Sequence, residues 1–225
     1  MANTGLESLV ERAARPYRSS GRYAWHFARG KLRHYPLFRH LAKEILPLER
    51  GTVLDLGCGR GLLFAWLAAA GEAPLHAGVE LHGIELRADL VDVARRALGA
   101  RARIDRADIR DVEIPKAAVI VLADVLQYLS AAEQDRVLER SARALEAGGV
   151  LLLREADAEA GLRFHITEWT ERVVGAARGT LWQKLHYRGA REWRDALARL
   201  GLAVTAAPSY EGTPFANVLY AARKG

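Results

Sequence analysis

Nothing constrains the fold of this chain more than the stretch 53–61, VLDLGCGRG. Val53, Leu54, Asp55 and Leu56 read as a short buried strand. The strand runs into Gly57, Gly59 and Gly61 and then into an apolar helix pattern, Leu62-Leu63-Phe64-Ala65-Trp66-Leu67. Strand, tight glycine turn and helix together build a nucleotide site in an α/β sheet. The glycines let the backbone turn sharply and approach a ligand, and the helix N-terminus presents unbonded N–H groups.

Two related motifs are excluded. A dinucleotide fingerprint, G-x-G-x-x-G, needs glycine at position 62, where Leu62 stands, and a phosphate loop needs a terminal Gly-Lys-Ser/Thr that is missing. Asp55, just before the turn, suits a ligand with positive charge and opposes pyrophosphate, since like charges repel. The stretch resembles motif I of the class I S-adenosylmethionine-dependent methyltransferases, hydrophobic-x-D-x-G-x-G-x-G. That resemblance implies a Rossmann-like three-layer α/β sandwich around a seven-stranded mixed sheet in the order 3-2-1-4-5-7-6. Strand seven is expected to run antiparallel, because the Ser209–Pro214 link after strand six is too short for a helical crossover.

Later motifs follow in the family's order. Residues 71–80 read as a loop and 81–86, LHGIEL, as the second strand. Glu85 matches motif II, which implies hydrogen bonds to the ribose hydroxyls, with Leu86 beside it. The gap from Gly59 exceeds the usual ~20 residues, and the loop accounts for the excess. Glu80 is the rival acid, placed within that loop. After a helix at 88–98 and a short strand at 102–106, Asp108 and Ile109 resemble motif III, an acid for the adenine amino group and an apolar residue against the ring. The buried run 117–123 ends in Asp124-Val125-Leu126-Gln127-Tyr128-Leu129, which resembles motif IV, D-x-L-x-x-L; the Asn/Asp-Pro-Pro-aromatic tetrapeptide of DNA amino-methylating enzymes is missing. Ser130 and Glu133 form a capping box. Leu145 to Gly149 is read as ending that helix in glycine before a fifth strand at 150–153. Strands six and seven are expected at 202–207 and 215–222. By this resemblance the cofactor residues are Asp55, Gly57, Cys58, Gly59, Glu85, Leu86, Asp108, Ile109 and Asp124.

Ahead of this domain (47–225), residues 1–46 read as a helical arm. Between Arg12 and Lys43 there are nine Lys and Arg and no acid, interleaved with Tyr17, Tyr23, Trp25, Phe27, Tyr35 and Phe38. A helix pair covering the sheet edge and a lid over the cofactor both fit. The lid reading puts Tyr23, Trp25 or Phe27 against the acceptor and leaves a basic rim. The net charge of +6 is weak evidence for a nucleic-acid partner in an Ala- and Arg-rich chain, and nucleic acid is not expected. A single cysteine, Cys58, excludes an internal disulfide and a multi-cysteine zinc site, and no metal is expected. No signal pattern or run of the ~18 apolar residues of a membrane span is present, so a cytoplasmic location is expected.

Beyond strand five the acceptor side offers Glu155, Asp157, His165, Trp169, Trp182, His186 and Tyr187. The cofactor carries the chemistry, and a base is needed only for an acceptor that arrives protonated. His165 and His186, with Glu155 behind them, are the candidate bases; Tyr128 and Asp157 join the arm aromatics as candidate acceptor contacts. The expected function is O- or C-methylation of a small, phenolic acceptor, with S-adenosylhomocysteine as by-product. The arm YRSSGRYAWHFARGKLR and the C-terminal TPFANVLYAARK resemble the small methyltransferases of bacterial aryl polyene and xanthomonadin-type pigment synthesis, implying an aromatic head group held on an acyl carrier protein. An RNA or protein methyltransferase and a non-catalytic, cofactor-binding partner subunit remain as alternatives.

Overall fold

A computed structural model describes residues 2–70, 76–177 and 184–225. The arm contains α1 (Ala2–Ala14), a 3-10 turn at Arg15–Ser20, α2 (Arg22–His34) and α3 (Leu37–Ile45). Pro16 stops α1, as its missing N–H requires, and opens the 3-10 turn. Then follow β1 (Arg50–Leu56), α4 (Leu62–Ala70), β2 (Gly78–Glu85), α5 (Ala88–Leu98), β3 (Arg103–Arg106), β4 (Ala117–Ala123) and α6 (Ala131–Ala144). The chain continues through β5 (Leu145–Ala156), α7 (Leu162–Ala177), α8 (Ala190–Arg199), β6 (Leu202–Pro208) and β7 (Asn217–Lys224).

The seven strands form one sheet in the order β3-β2-β1-β4-β5-β7-β6, the expected order. Only β7 opposes its neighbours, pairing antiparallel with both β5 and β6, as the short link demands. The pleat alternates side chains between faces. Val53, Val119, Val121 and Leu152 share one core with α1 to α5, while Leu54, Ile120, Leu122 and Leu153 share a second with α6 and α8. The first core extends through the arm: Val10, Tyr17, Ala28, Leu32 and Leu41 are buried in it. The arm therefore packs on the helix layer, α1 against α4 and the 3-10 turn against α5, and does not merely flank a sheet edge.

Several boundaries differ from the sequence reading. β2 begins at Gly78, because β1 starts at Arg50 and pairs with Gly78 in parallel register. Glu80 thus lies in a strand opposite Thr52; of the expected loop, residues 71–75 lie outside the described residues. Leu86 falls beyond β2 and is exposed. α6 ends at Ala144, before the glycines: Leu145 already pairs with Ala117, and a register shift between Ala117 and Val119 takes up Gly148 and Gly149 as a bulge in a much longer β5. β7 starts two residues late, since the carbonyl of Phe215 is held by the Arg163 side chain. The capping box of α6 forms as read.

Gly57 (φ +85) shows why the turn needs glycine: a Cβ there would lie 2.7 Å from Val125 Cγ2 and 3.1 Å from its Cβ. Gly201 (φ +78) has open space instead. Gly57→Ala is expected to cost roughly 1–3 kcal/mol for overpacking on top of ~1–2 kcal/mol for the left-handed backbone. Gly201→Ala should show only the backbone share. Chemical denaturation of both variants measures the difference; equal losses would mean that the Gly57–Val125 contact relaxes freely.

Candidate functional site

At the tip of β1 the chain turns under control of β2. The N–H groups of Gly57 and Cys58 donate to the Ile84 carbonyl at 2.8 and 3.1 Å, and Gly59 N–H donates to the Glu85 carboxylate at 2.9 Å. The other Glu85 oxygen accepts from Arg87 N–H at 2.9 Å. Each oxygen keeps a second lone pair for a ligand hydroxyl. The arm reaches the same turn: buried Tyr17 donates its hydroxyl proton to the Arg60 carbonyl at 2.8 Å. Gly83 lets Cys58 lie against β2, since a Cβ there would meet the Cys58 sulfur at 2.6 Å.

Beside the turn lies a cavity of ≈ 380 Å³, within the size range of small-molecule sites. Asp55, Gly57, Cys58, Gly59 and Asp124 all line it, joining the tips of β1 and β4. Gly59, at φ +56, has nothing within 4 Å of where a Cβ would stand. Burial, reinforced by the nearby Glu85 carboxylate, pushes the Asp55 carboxyl up to about 7. A cation in the cavity would relieve that repulsion and favour the charged form. Phe27, Tyr35, Phe38 and Tyr128 supply aromatic walls, and Lys31 and Arg60 add positive charge. Thr170 of α7 also lines the cavity.

Asp124 follows β4 in a left-handed conformation, φ +57, uncommon for any residue but glycine. Its two carboxylate oxygens are bridged by Nη1 of Arg154, which is itself fully buried. Arg154 is fixed by Ser209 through Nε and Nη2. Glu155 points elsewhere: it is buried, and one of its oxygens accepts the N–H groups of Val125 and Leu126 at 3.1 and 2.8 Å. Burial, then the Asp124 charge, pushes its carboxyl up to about 8.

The remaining sequence candidates scatter. Phe27 and Tyr128 reach the cavity, whereas Tyr23 is 73 % exposed and Trp25 packs against Arg18 and His26. His165 is exposed on α7. His186 is held by its backbone, donating N–H to the Gln127 carbonyl and accepting from Gln134 Nε2; neither histidine is among the residues lining this cavity. Asp157 accepts the N–H groups of Glu159 and Ala190, a capping role at the start of α8. Asp108 is paired with Arg110, whose guanidinium holds its carboxyl below the usual range, and Ile109 is buried in the second core. The Ala107 N–H donates to the Glu85 carbonyl, so motifs II and III sit side by side at adjacent strand tips. Trp182 lies outside the described residues. In the arm Arg29 pairs with Glu11 and Arg33 with Glu7, Arg18 lies over Trp25, and Arg15, Arg22, Arg39 and Lys43 are exposed. Among the described residues no three His, Cys, Asp or Glu side chains gather as metal ligands, and no helix is long and apolar enough to cross a membrane.

Tyr17, Gln127 and Arg154 escaped the sequence reading as site residues. The signal for Arg154 was an arginine closing a strand otherwise composed of buried aliphatics, which demands a buried anionic partner.

Residues 53–149 match the family model of a methyltransferase domain. A carboxy-S-adenosyl-L-methionine synthase of Chromohalobacter salexigens is 43% identical over 108 residues, covering 46% of this chain and 39% of that protein. The corresponding synthase of Aliivibrio fischeri is 33% identical over 109 residues, 46% of this chain and 44% of that protein. The match thus spans less than half the length of these relatives. Among solved structures, an O-methyltransferase family protein from Burkholderia thailandensis superposes with a TM-score of 0.63 at 20% identity, over 92% of this chain and 62% of that one. Magnesium protoporphyrin IX methyltransferase from Synechocystis, with bound S-adenosylhomocysteine, gives 0.64 at 17% identity, over 88% of both chains. The fold is the class I methyltransferase fold.

Glu155 separates a structural from a catalytic carboxylate. Glu155→Gln keeps an acceptor for the turn and is expected to fold and bind cofactor as the parent does. Glu155→Ala leaves two buried N–H groups unpaired, at roughly 1–3 kcal/mol each. Thermal unfolding of both variants checks this; a Gln variant as unstable as the Ala variant would contradict it.

Proposed function

We propose that this protein binds S-adenosylmethionine between the glycine turn and the β4 tip and transfers its methyl group to a small aromatic acceptor. The observation that carries the reading is the cavity at these strand tips, where the buried Asp55 carboxylate and the open face of Gly59 meet aromatic walls. Those residues fit the cofactor: Asp55 offers negative charge to its amino group, and Gly59 leaves room for close approach. Glu85 would take the ribose hydroxyls on its remaining lone pairs, and Asp108 and Ile109 the adenine. Bound there, S-adenosylmethionine supplies an electrophilic methyl on a cationic sulfur.

The chain's own share is alignment and proton handling. Residues 1–46 act as a lid over the domain 47–225, pinned to the glycine turn by Tyr17 and closing the cavity with Phe27 and Tyr35. Aromatic walls exclude water and stack on a flat ring. A phenol, with pKa near ~10, benefits from a hydrogen-bond acceptor for its leaving proton. Asp124 lines the cavity and fills that role better than His165, His186 or Glu155. The arm and C-terminal resemblance to pigment-synthesis methyltransferases directs the acceptor toward an aromatic head group, and Arg29 and Arg33, paired inside the arm, are not available to an acyl carrier protein.

A second reading has one observation in its favour. The curated relatives are named as synthases of a carboxylated cofactor, and two cations, Lys31 and Arg60, line the cavity. The cofactor would then itself be the substrate. Incubation with methyl-labelled S-adenosylmethionine, together with a panel of phenols and with small carboxylic acids able to give up CO2, decides between the two. Methyl transfer predicts label on a phenol and release of S-adenosylhomocysteine. A heavier, carboxylated cofactor supports the second reading, and failure of the cofactor to bind overturns both.

A further inference from the structure

The arm reaches the β4 tip by a second route, separate from the Tyr17 bond to the glycine turn. His40, on α3, places Nδ1 3.3 Å from the hydroxyl oxygen of Ser209, in the link between β6 and β7. That oxygen accepts from Nε of Arg154 at 3.3 Å, and the Ser209 carbonyl accepts from Nη2 at 3.3 Å. Nη1 of Arg154 bridges the two carboxylate oxygens of Asp124, which lines the cavity. Four side chains from four separate parts of the chain thus form one line from the arm to the carboxylate. Ser209 and Arg154 are fully buried, where such bonds are strong and water does not compete. The helix that carries His40 is itself fastened: Glu44 pairs with Arg223 of β7. The Tyr35 ring, just before α3, has its centre 5.5 Å from Cζ of Arg154.

The donors and acceptors fix the direction of each bond. Nε2 of His40 lies 3.4 Å from the Glu211 carboxylate, which only accepts, so Nε2 carries the ring proton. Bare Nδ1 then accepts the Ser209 hydroxyl proton, and the lone pairs of Ser209 are left for Arg154. A second proton on the ring would occupy Nδ1. Ser209 would lose that acceptor, and an imidazolium would face the guanidinium across a single oxygen. The charged groups around the ring are Arg39 and Lys43 of its own helix, Glu211 of the link and Arg154 of β5. Burial lowers the His40 pKa below its ordinary value; Glu211 opposes the shift, and Lys43, Arg39 and Arg154 add to it. His40 is therefore neutral at neutral pH, and the bond order holds.

We propose that His40 is a positioning residue of the methyl-transfer site, coupling the seating of the arm to the aim of Asp124 through Ser209 and Arg154. An arm lifted from the sheet leaves Arg154 without its fixed partner, so proton removal waits for closure. The proposal rests on the methyl-transfer reading for the task of Asp124; the bond order is independent of that reading.

The test is side-chain nitrogen NMR of the protein saturated with S-adenosylhomocysteine, joined to the pH profile of methyl transfer to a phenol. In the unaltered protein the His40 ring is expected to carry its proton on Nε2, and the Arg154 Nε–H to exchange slowly with water. His40→Leu removes the acceptor for Ser209, and its Arg154 Nε–H should exchange ~10-fold faster, the worth of one such hydrogen bond. His40→Asn sets an amide oxygen near the Nδ1 position and should restore slow exchange. Both variants should bind S-adenosylhomocysteine as the parent does, which reports an intact fold. In turnover, His40→Leu should lower kcat with KM for S-adenosylmethionine unchanged. The parent's kcat should fall on the acid side as His40 takes up its second proton, and His40→Asn should lose that limb while keeping most of kcat. A ring proton on Nδ1, or exchange and kcat equal in the parent and His40→Leu, overturns the proposal. A loss in His40→Leu that His40→Asn shares also overturns it and leaves His40 a packing role. If no phenol is methylated, the methyl-transfer reading falls, and the exchange rates of the three proteins still decide the coupling.

Discussion

Two buried glutamates at strand tips hold the site together by the same device. Glu85, ending β2, accepts backbone N–H groups from the turn after β1 and from its own exit. Glu155, near the end of β5, accepts two N–H groups from the turn after β4. In a parallel sheet these turns carry the ligand, at the carboxyl ends of the strands. The N–H groups of Gly59, Val125 and Leu126 find their acceptors in these carboxylates rather than in a strand carbonyl, and buried donors must be satisfied. A carboxylate with several lone pairs satisfies two at once and ties neighbouring strands. The turns also meet each other: the side chain of Val125 fills the space that Gly57 leaves without a Cβ. Motifs I and IV are one packed unit, and each glutamate steadies half of it.

The arm completes this unit, and two of its arginines are paired within it. Its apolar face joins the sheet's first core, and Tyr17 ties it to the loop it covers. The acid-free run looks strongly basic along the sequence. In space, the glutamates of α1 face the arginines of α2, and Arg60 lies over Phe27. Partners just before the run, Glu7 and Glu11 on a helix packed alongside, neutralise part of what composition suggests. The cations that do face the cavity, Lys31 and Arg60, bear on the ligand more than on a macromolecular surface.

The motifs that depend on local chemistry were legible. Glycines where φ is positive, a fully apolar buried strand and a Ser-x-x-Glu cap carry their reasons within a few residues, and the short Ser209–Pro214 link dictated the direction of β7. What depends on distant partners was not. The value of Arg154 lies in Asp124 and Ser209, thirty and fifty-five residues away. Gln127 is notable for a bond it does not make among the described residues, which no pattern encodes. The histidines misled because residue type was weighed without direction: His165 sits on an exposed face of α7, a helix the sequence reading did not assign, and Glu155 is occupied by backbone. β5 ran past its expected limits because a bulge absorbed its glycines, a tertiary event that local propensity does not register.

The central claim is that the buried carboxylate at the β1 tip receives the positive end of the cofactor. Asp55 sits at about 7 in the free protein, above its ordinary value near 3.8, so the folded chain holds its proton more tightly than the unfolded one. Stability from this group is full below its unfolded value and falls as pH rises toward 7. A bound cation works in the opposite sense: it favours the ionised form, so binding below that pH releases a proton. Calorimetric titration of S-adenosylhomocysteine from about pH 5.5 to about pH 8.5, in buffers of different ionisation enthalpy, measures this directly. Affinity is expected to rise with pH, by up to ~10-fold per unit below 7, with up to ~1 proton released, and to level off above 7. Asp55→Asn should remove both the slope and the proton release. Affinity that is flat with pH, or a slope that persists in Asp55→Asn, would contradict the assignment of Asp55 to the cofactor's cationic end.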